Sequence, residues 1–253
     1  DHEKAVKWHE KYLHASKKIE NASLEAQARG YLGGAHLSLD NLLSALEHFE
    51  HYLRLARELE DFDMEGRALV CCARTHMRLR QSKSAVRELL GALRLGKDIG
   101  SAALVEEVRE VLDPVRTLLV QEATESSVLG GAQLEACVTE LEMLLLLVQS
   151  VGSDDVLAST QNLLITVYMT IGDNTKAMEH CNAALNNALA NDDTVQIGIH
   201  QHLRALLLGG GAPLSPISPA IKSWSAGIGS AGIVPTVLNL EGARHPSVNI
   251  TRS

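Results

Sequence analysis

Between positions 67 and 97 the chain carries eight basic residues against one acid, Glu88, a local charge of +7 in a protein of net charge −8. Arg67, Arg74 and Arg78 are separated by 7 and 4 residues, which places them on one helical face within a narrow angle. A guanidinium is a planar fork suited to carboxylates. The pattern therefore predicts a groove site for an acidic, extended peptide. The competing reading is a solvated helix face paired with acids such as Glu106, Glu107 and Glu110. A second set, Ser159, Asn162, Thr166 and Thr170, offers short hydrogen-bonding side chains at helical spacing. Asn162 and Thr166 join the three arginines as candidate partner-binding residues. Gln27, Gly30, Gly34 and Ser38 form a third set, small enough for a ligand backbone to come close.

Other chemistry is poorly represented. His48 and His51 stand at i, i+3, but no HExxH or Cys/His framework accompanies them, so no metal is expected. Cys71 and Cys72 are adjacent and point to different helical faces; with Cys137 and Cys181 they read as buried, reduced thiols of a cytosolic protein. Gly227 to Gly232 matches GxGxxG, yet Val234-Pro235 follows at once and no βαβ unit surrounds it. Ser215 and Ser218 each precede a proline and fit a proline-directed phosphorylation pattern; Asn249-Ile250-Thr251 is a sequon that a reduced intracellular protein would not use. No nucleophile, base and orienting group assemble, so neither catalysis nor a cofactor is expected.

Composition points the same way. With 21% charged and 45% hydrophobic residues the chain suits a globular protein with an ample core. Aromatics make up 3%, too few for base-stacking platforms, which argues against single-stranded nucleic acid. The longest apolar run, Met143 to Val148, is far shorter than the ~20 residues of a membrane span. It reads as a helix buried on most sides.

The elements that must position the arginines show a repeat. Ala5, Ala45 and Ala85 recur at a step of 40, as do His9, Phe49 and Leu89, and Leu13, Leu53 and Leu93. Residues 1–20 read as the second helix of an incomplete repeat whose first helix lies upstream of this chain. Residues 24–59 and 65–96 read as complete helix pairs, with small Gly33, Ala45, Ala73 and Ala85 allowing close approach. The period then breaks. Asp113-Pro114 predicts that helix 102–112 stops and restarts, or kinks. Thr124 to Gly131 reads as a loop and Gln133 to Gln149 as a helix, with Ala136 at the close-approach place. Regularity returns at Asp154, and Thr194 to Leu208 reads as a lone terminal helix capping the last pair. Residues 1–208 are thus one all-α solenoid. From 209 to 253 glycine, serine and five of the six prolines replace the periodicity. This stretch reads as an extended tail with little helix or sheet, held by its own solenoid or by a neighbour.

Leu32, Gly33, His36, Ala45, Phe49 and Leu53, then Leu164, Ile165, Tyr168, Ala177, Cys181 and Leu185, fall where the tetratricopeptide repeat family places its packing residues. The chain resembles that family over residues 1–208, with a unit longer than its usual ~34 residues. The resemblance implies a right-handed superhelix of antiparallel helix pairs and a non-catalytic role in holding other proteins. The long unit and the Glu65-x-Arg67-Ala68 start resemble both the spindle-orientation adaptors of the Pins type, whose grooves hold extended peptides, and tetratricopeptide proteins of cilia. Tyr31-Leu32-Gly33-Gly34-Ala35-His36-Leu37 is closer to the ciliary group. That group implies a scaffold subunit of a large hetero-complex, associated with axonemal dynein or microtubule doublets. The Pins type implies a regulatory adaptor for one short acidic peptide. Neither implies nucleic acid or membrane as a partner.

Overall fold

In a computed structural model, residues 2–129 and 131–209 are described; the tail and its motifs lie outside them. Ten helices follow one another: α1 His2–Lys18, α2 Ala22–Ser38, α3 Leu42–Glu58, α4 Phe62–Arg78, α5 Ser82–Asp98, α6 Ala102–Leu129, α7 Gly131–Val151, α8 Asp154–Ile171, α9 Asn174–Ala190 and α10 Thr194–Leu208. There is no strand among the described residues.

The first five helices are each 17 residues long. Each ends in a turn whose middle residue adopts positive φ: Glu20 (52°), Asp40 (63°), Glu60 (53°), Arg80 (57°) and Gly100 (68°). The true unit is therefore a 20-residue helix-plus-turn, half of the 40-residue step. Gly152, Gly172 and Asp192 resume the same interval. A left-handed residue costs most side chains about 1–2 kcal/mol. The turn persists because it satisfies the last carbonyls of one helix while starting the next. After α2, for example, the Asn41 N–H donates to His36 O at 2.9 Å. Asn21 and Asp61, one step of 40 apart, then cap the following helices through side-chain oxygens that accept from Leu24 N and Met64 N.

Packing arranges the helices in two layers. Each helix packs on its chain neighbours; in addition α2, α4, α6 and α8 touch in sequence and form the first layer. The intervening helices α1, α3, α5, α7 and α9 form the second. Close approach is real where the sequence placed it. Ala45, Ala85 and Ala177 are fully buried. A Cβ on Gly33 would lie 2.5 Å from the Phe49 ring, so the phenyl fills the space that the missing side chain leaves. The largest cluster runs from Leu69 to Ala177 through Leu89, Leu112, Leu144 and Leu164.

The middle pair differs from expectation. Residues 124–129 are helical, not loop: α6 continues for 28 residues with Pro114 inside it. The apolar stripe Val111, Val115, Leu119 and Ala123 runs on without interruption, and Glu125 accepts from Arg80 at 2.9 Å. These contacts outweigh the single backbone hydrogen bond that proline removes. Ala136, expected at a close contact, is exposed; Leu134, Cys137, Val138 and Leu141 carry the buried stripe of α7 instead. Met143 to Val148 is buried on most sides as read, with Leu146 facing outward at 60% exposure.

Replacing Ala85 by leucine forces a larger side chain into a contact with no free space. Overpacking of this kind costs about 1–3 kcal/mol. The expected outcome is a thermal midpoint several degrees lower with wild-type helical content by circular dichroism; an unchanged midpoint would refute the close contact.

Candidate functional site

The candidate site follows from the first layer. Arg67, Arg74 and Arg78 all lie exposed on α4, so one face of one helix does carry them. They do not converge. Arg78 reaches back to the end of α2, donating to Leu37 O at 2.6 Å and to Asp40 Oδ1 at 2.7 Å. Arg74 reaches forward to α6, where Glu110 Oε2 accepts at 3.2 Å. Arg67 has no ion pair with any described residue; burial raises the Tyr52 phenol pKa to about 12, and the Arg67 charge partly opposes that shift. Glu106 is taken by Arg109 at 3.1 Å. The acids of α4, Asp63 and Glu65, lie in its first turn, so the carboxylates for Arg74 and Arg78 come from the neighbouring repeats.

These pairs are open to exchange. The Arg74 and Arg78 side chains are 46% and 45% exposed, and their partners Glu110 and Asp40 are 64% and 73% exposed. Exposed pairs contribute only about 0–1 kcal/mol each. An incoming carboxylate can replace either acid at little cost. The charge centre of the layer is therefore a row in which one guanidinium is free and two are loosely held.

Asn162 and Thr166 lie elsewhere, on α8 under α10. Both are buried. Asn162 Nδ2 donates to Gln196 Oε1 of α10 at 3.2 Å, and the Thr166 hydroxyl donates to Asn162 O at 2.9 Å. Asn162 Oδ1 and His200 Nδ1 are buried without a hydrogen-bond partner. The structure does not bring these residues together with the arginines.

Sequence reading gave little weight to the histidines, yet they form a distinct cluster. His36 of α2 stacks on His48 of α3 at 5.3 Å between ring centres and 11° between planes. Arg29 Nη1 donates to His48 Nδ1 at 3.4 Å, and Arg54 meets His51. Burial first, then the Arg29 charge, lower the His48 pKa to about 4, and His51 is lowered by burial and by Arg29. Among the described residues no group of three or more His, Cys, Asp or Glu side chains could hold a metal. The signal that could have found the cluster was the spacing of Arg29 and His36 by seven, one face of α2 opposite His48. The four cysteines are free, and burial raises the thiol pKa of Cys71 to about 11 and of Cys72 to about 12, which leaves them protonated and unreactive. No described helix is long and apolar enough to cross a membrane.

No family model matches the chain, and no curated protein matches it. Solved structures with similar helix stacking include aspartyl phosphate phosphatase F from Bacillus subtilis, with 12% identity and a TM-score of 0.40, covering 81% of this chain and 51% of that one. A Rap protein complexed with competence and sporulation factor has 12% identity and a TM-score of 0.37, covering 83% and 56%. BtubC (BKLC) from P. vanneervenii has 14% identity and a TM-score of 0.40, covering 100% and 97%. The chain spans about half the length of the first two. Likeness at this level concerns the stacking of helices and says nothing of ligands.

Two measurements check the geometry. A double-mutant cycle on Arg78→Met and Asp40→Asn is expected to give a coupling of about 0–1 kcal/mol; a coupling above about 2 kcal/mol would show a pair too tightly held to exchange. The histidine cluster sets a pH dependence. His48 titrates near 6.5 when unfolded and about 4 when folded, so the folded state binds fewer protons in between. Its contribution is complete above pH 6.5 and is lost as pH falls toward 4. The thermal midpoint of His48→Gln is expected to fall less than that of wild type between pH 7 and pH 5; identical losses would place the acid sensitivity elsewhere.

Proposed function

We propose that this chain is a non-catalytic interaction scaffold of the tetratricopeptide type, whose first layer binds an acidic, extended segment of a protein partner through Arg67, Arg74 and Arg78. The observation that carries this reading is the row just described: a free Arg67 beside two arginines whose own acids are exposed. A ligand carboxylate adds contacts at Arg67. Asn162 and Thr166, covered by α10, are left out of this reading. Membership of a hetero-complex is part of the proposal, and a ciliary setting is its finer form, resting on the resemblance carried by Tyr31 to Leu37.

The test uses a short fluorescein-labelled peptide of alternating glutamate and glycine, an extended acidic probe of no sequence specificity. Anisotropy titrations at low and high salt compare wild type with the Arg67→Glu/Arg74→Glu/Arg78→Glu variant. Exposed charges are screened beyond roughly 8–10 Å at 0.1–0.15 M salt, so wild-type binding should weaken as salt rises. The variant should lose binding at least about tenfold, or ~1.4 kcal/mol, while its far-ultraviolet circular dichroism stays unchanged. Equal binding by both proteins would reduce these arginines to a solvated face.

A further inference from the structure

The second layer contains furrows of its own, on the side of the molecule away from Arg74 and Arg78. One lies between α1 and α3 over α2, the next between α3 and α5 over α4. The 40-residue step aligns their linings: Lys17 with Arg57, Glu25 with Glu65, Arg29 with Leu69, His51 with Gly91, Arg54 with Arg94 and Glu58 with Asp98. The correspondence is structural as well as numerical, because the Lys17–Glu25 pair at 3.6 Å recurs as Arg57–Glu65 at 2.7 Å.

Three exchanges open the second furrow. In the first furrow Arg29 fills the floor, with its side chain only 12% exposed and bonded to His48. His51 stands above it against Arg54. In the second furrow Leu69 replaces the arginine, and Gly91 replaces the histidine with no side chain at all. A Cβ built on Gly91 would stand 3.5 Å from Leu69 Cδ1, an ordinary contact, so at this position no α5 side chain stands over Leu69. One step further on, the floor position again carries an arginine, Arg109, which donates to Val151 O at 3.0 Å and ties down the end of α7. Leu69 is the exception among the three. The result is a cavity of about 430 Å³ whose lining includes Leu69, Gly91, Leu95 and Arg94.

The third exchange frees a charge. Glu58 holds Arg54 at 3.9 Å, one helical turn along α3. Asp98 is one methylene shorter, and Arg94 forms no ion pair with it or with any other described residue. The remaining cations of the cavity are accompanied: Arg57 by Glu65, and Arg87 by Glu88 at 3.8 Å.

We propose that this furrow is a second binding site, which takes a peptide segment of a protein partner bearing an aliphatic side chain next to a carboxylate. The aliphatic group lies on Leu69, Gly91 and Leu95, and the carboxylate pairs with Arg94. The volume falls within the ~300–1,000 Å³ typical of preformed ligand sites, room for one or two side chains. An apolar floor with the unpaired Arg94 guanidinium at its rim, one turn from the Asp98 carboxylate that also lines it, selects against a purely acidic segment, which would leave the floor wet and crowd Asp98, and against a purely aliphatic one, which would leave Arg94 unmatched. This site does not depend on the first-layer reading.

The test is selection of random peptides displayed on phage against the full chain. A synthetic copy of the dominant clone is then titrated by fluorescence anisotropy. The Leu69→Arg/Gly91→His variant fills the cavity with side chains that the preceding repeat already carries, and Arg94→Gln removes only an exposed charge. Enriched sequences should place an acid beside an aliphatic residue. The double variant should weaken binding at least about tenfold and Arg94→Gln about two- to fivefold, and the Arg67/Arg74/Arg78 triple variant should leave it unchanged. Should the double variant fail to fold, Arg94→Gln alone decides. The proposal is overturned if no acid–aliphatic pairing is enriched, or if the selected peptide binds Arg94→Gln as well as wild type.

Discussion

Everything in this fold depends on a turn that uses a left-handed residue to reverse the chain in three residues. Because the turn recurs every 20 residues from Glu20 to Gly100, successive helices have the same length and their ends lie level. Level ends keep each helix in register with its neighbour over its whole length, so that Gly33 meets Phe49 and Ala85 lies at a dry contact. Register in turn fixes which side chains stand at the seams. Arg78 meets the carbonyl of Leu37 because the α2 and α4 turns are at one height. The acids and the arginine at these turns are sterically unfavourable there, and they persist because the tertiary packing outweighs a local cost of about 1–2 kcal/mol.

The regular spacing fails once, and the failure is absorbed by length. The interval from Gly100 to Gly152 is 52 residues, 12 more than two regular units. The extra residues lengthen α6 to 28 residues and α7 to 21. Their surplus turns fold against the start of α5, where Ser82 donates to Glu140 at 2.6 Å and Arg80 to Glu125. The insertion therefore ties a later pair to an earlier one, and α5 packs on α7 as well as on α6.

Much of this was legible in the sequence. The step of 40 in Ala5, Ala45 and Ala85 reveals the packing, because a close helix contact tolerates only small residues. The step of 20 was not visible, since its positive-φ residue is Glu, Asp, Glu, Arg or Gly in turn: a backbone conformation leaves little trace when context enforces it. The helix through 124–129 was hidden for the opposite reason. Thr124, Glu125, Ser126 and Ser127 have loop-like composition, and the contact of Glu125 with Arg80 across the seam is not visible in the sequence. The arginines were found by charge, and Glu110 was among the acids the sequence offered them, but Asp40, a step back in sequence, could be known as a partner only once the repeats were stacked. The open furrow was least legible of all. It consists of what Leu69 and Gly91 omit by comparison with Arg29 and His51, and an omission is visible only when two repeats are superposed.

The long middle pair also has a mechanical meaning. Outside it, each helix is held mainly by its chain neighbours, with a lighter contact between α2 and α4, so the array approaches a one-dimensional chain that opens from its ends. The cluster from Leu69 to Ala177 crosses that simple order, with α4 against α6, α5 against α7 and α6 against α8. A load applied along the solenoid would therefore be shared differently in the middle, from α4 to α8, where helices two apart hold one another as well as their chain neighbours.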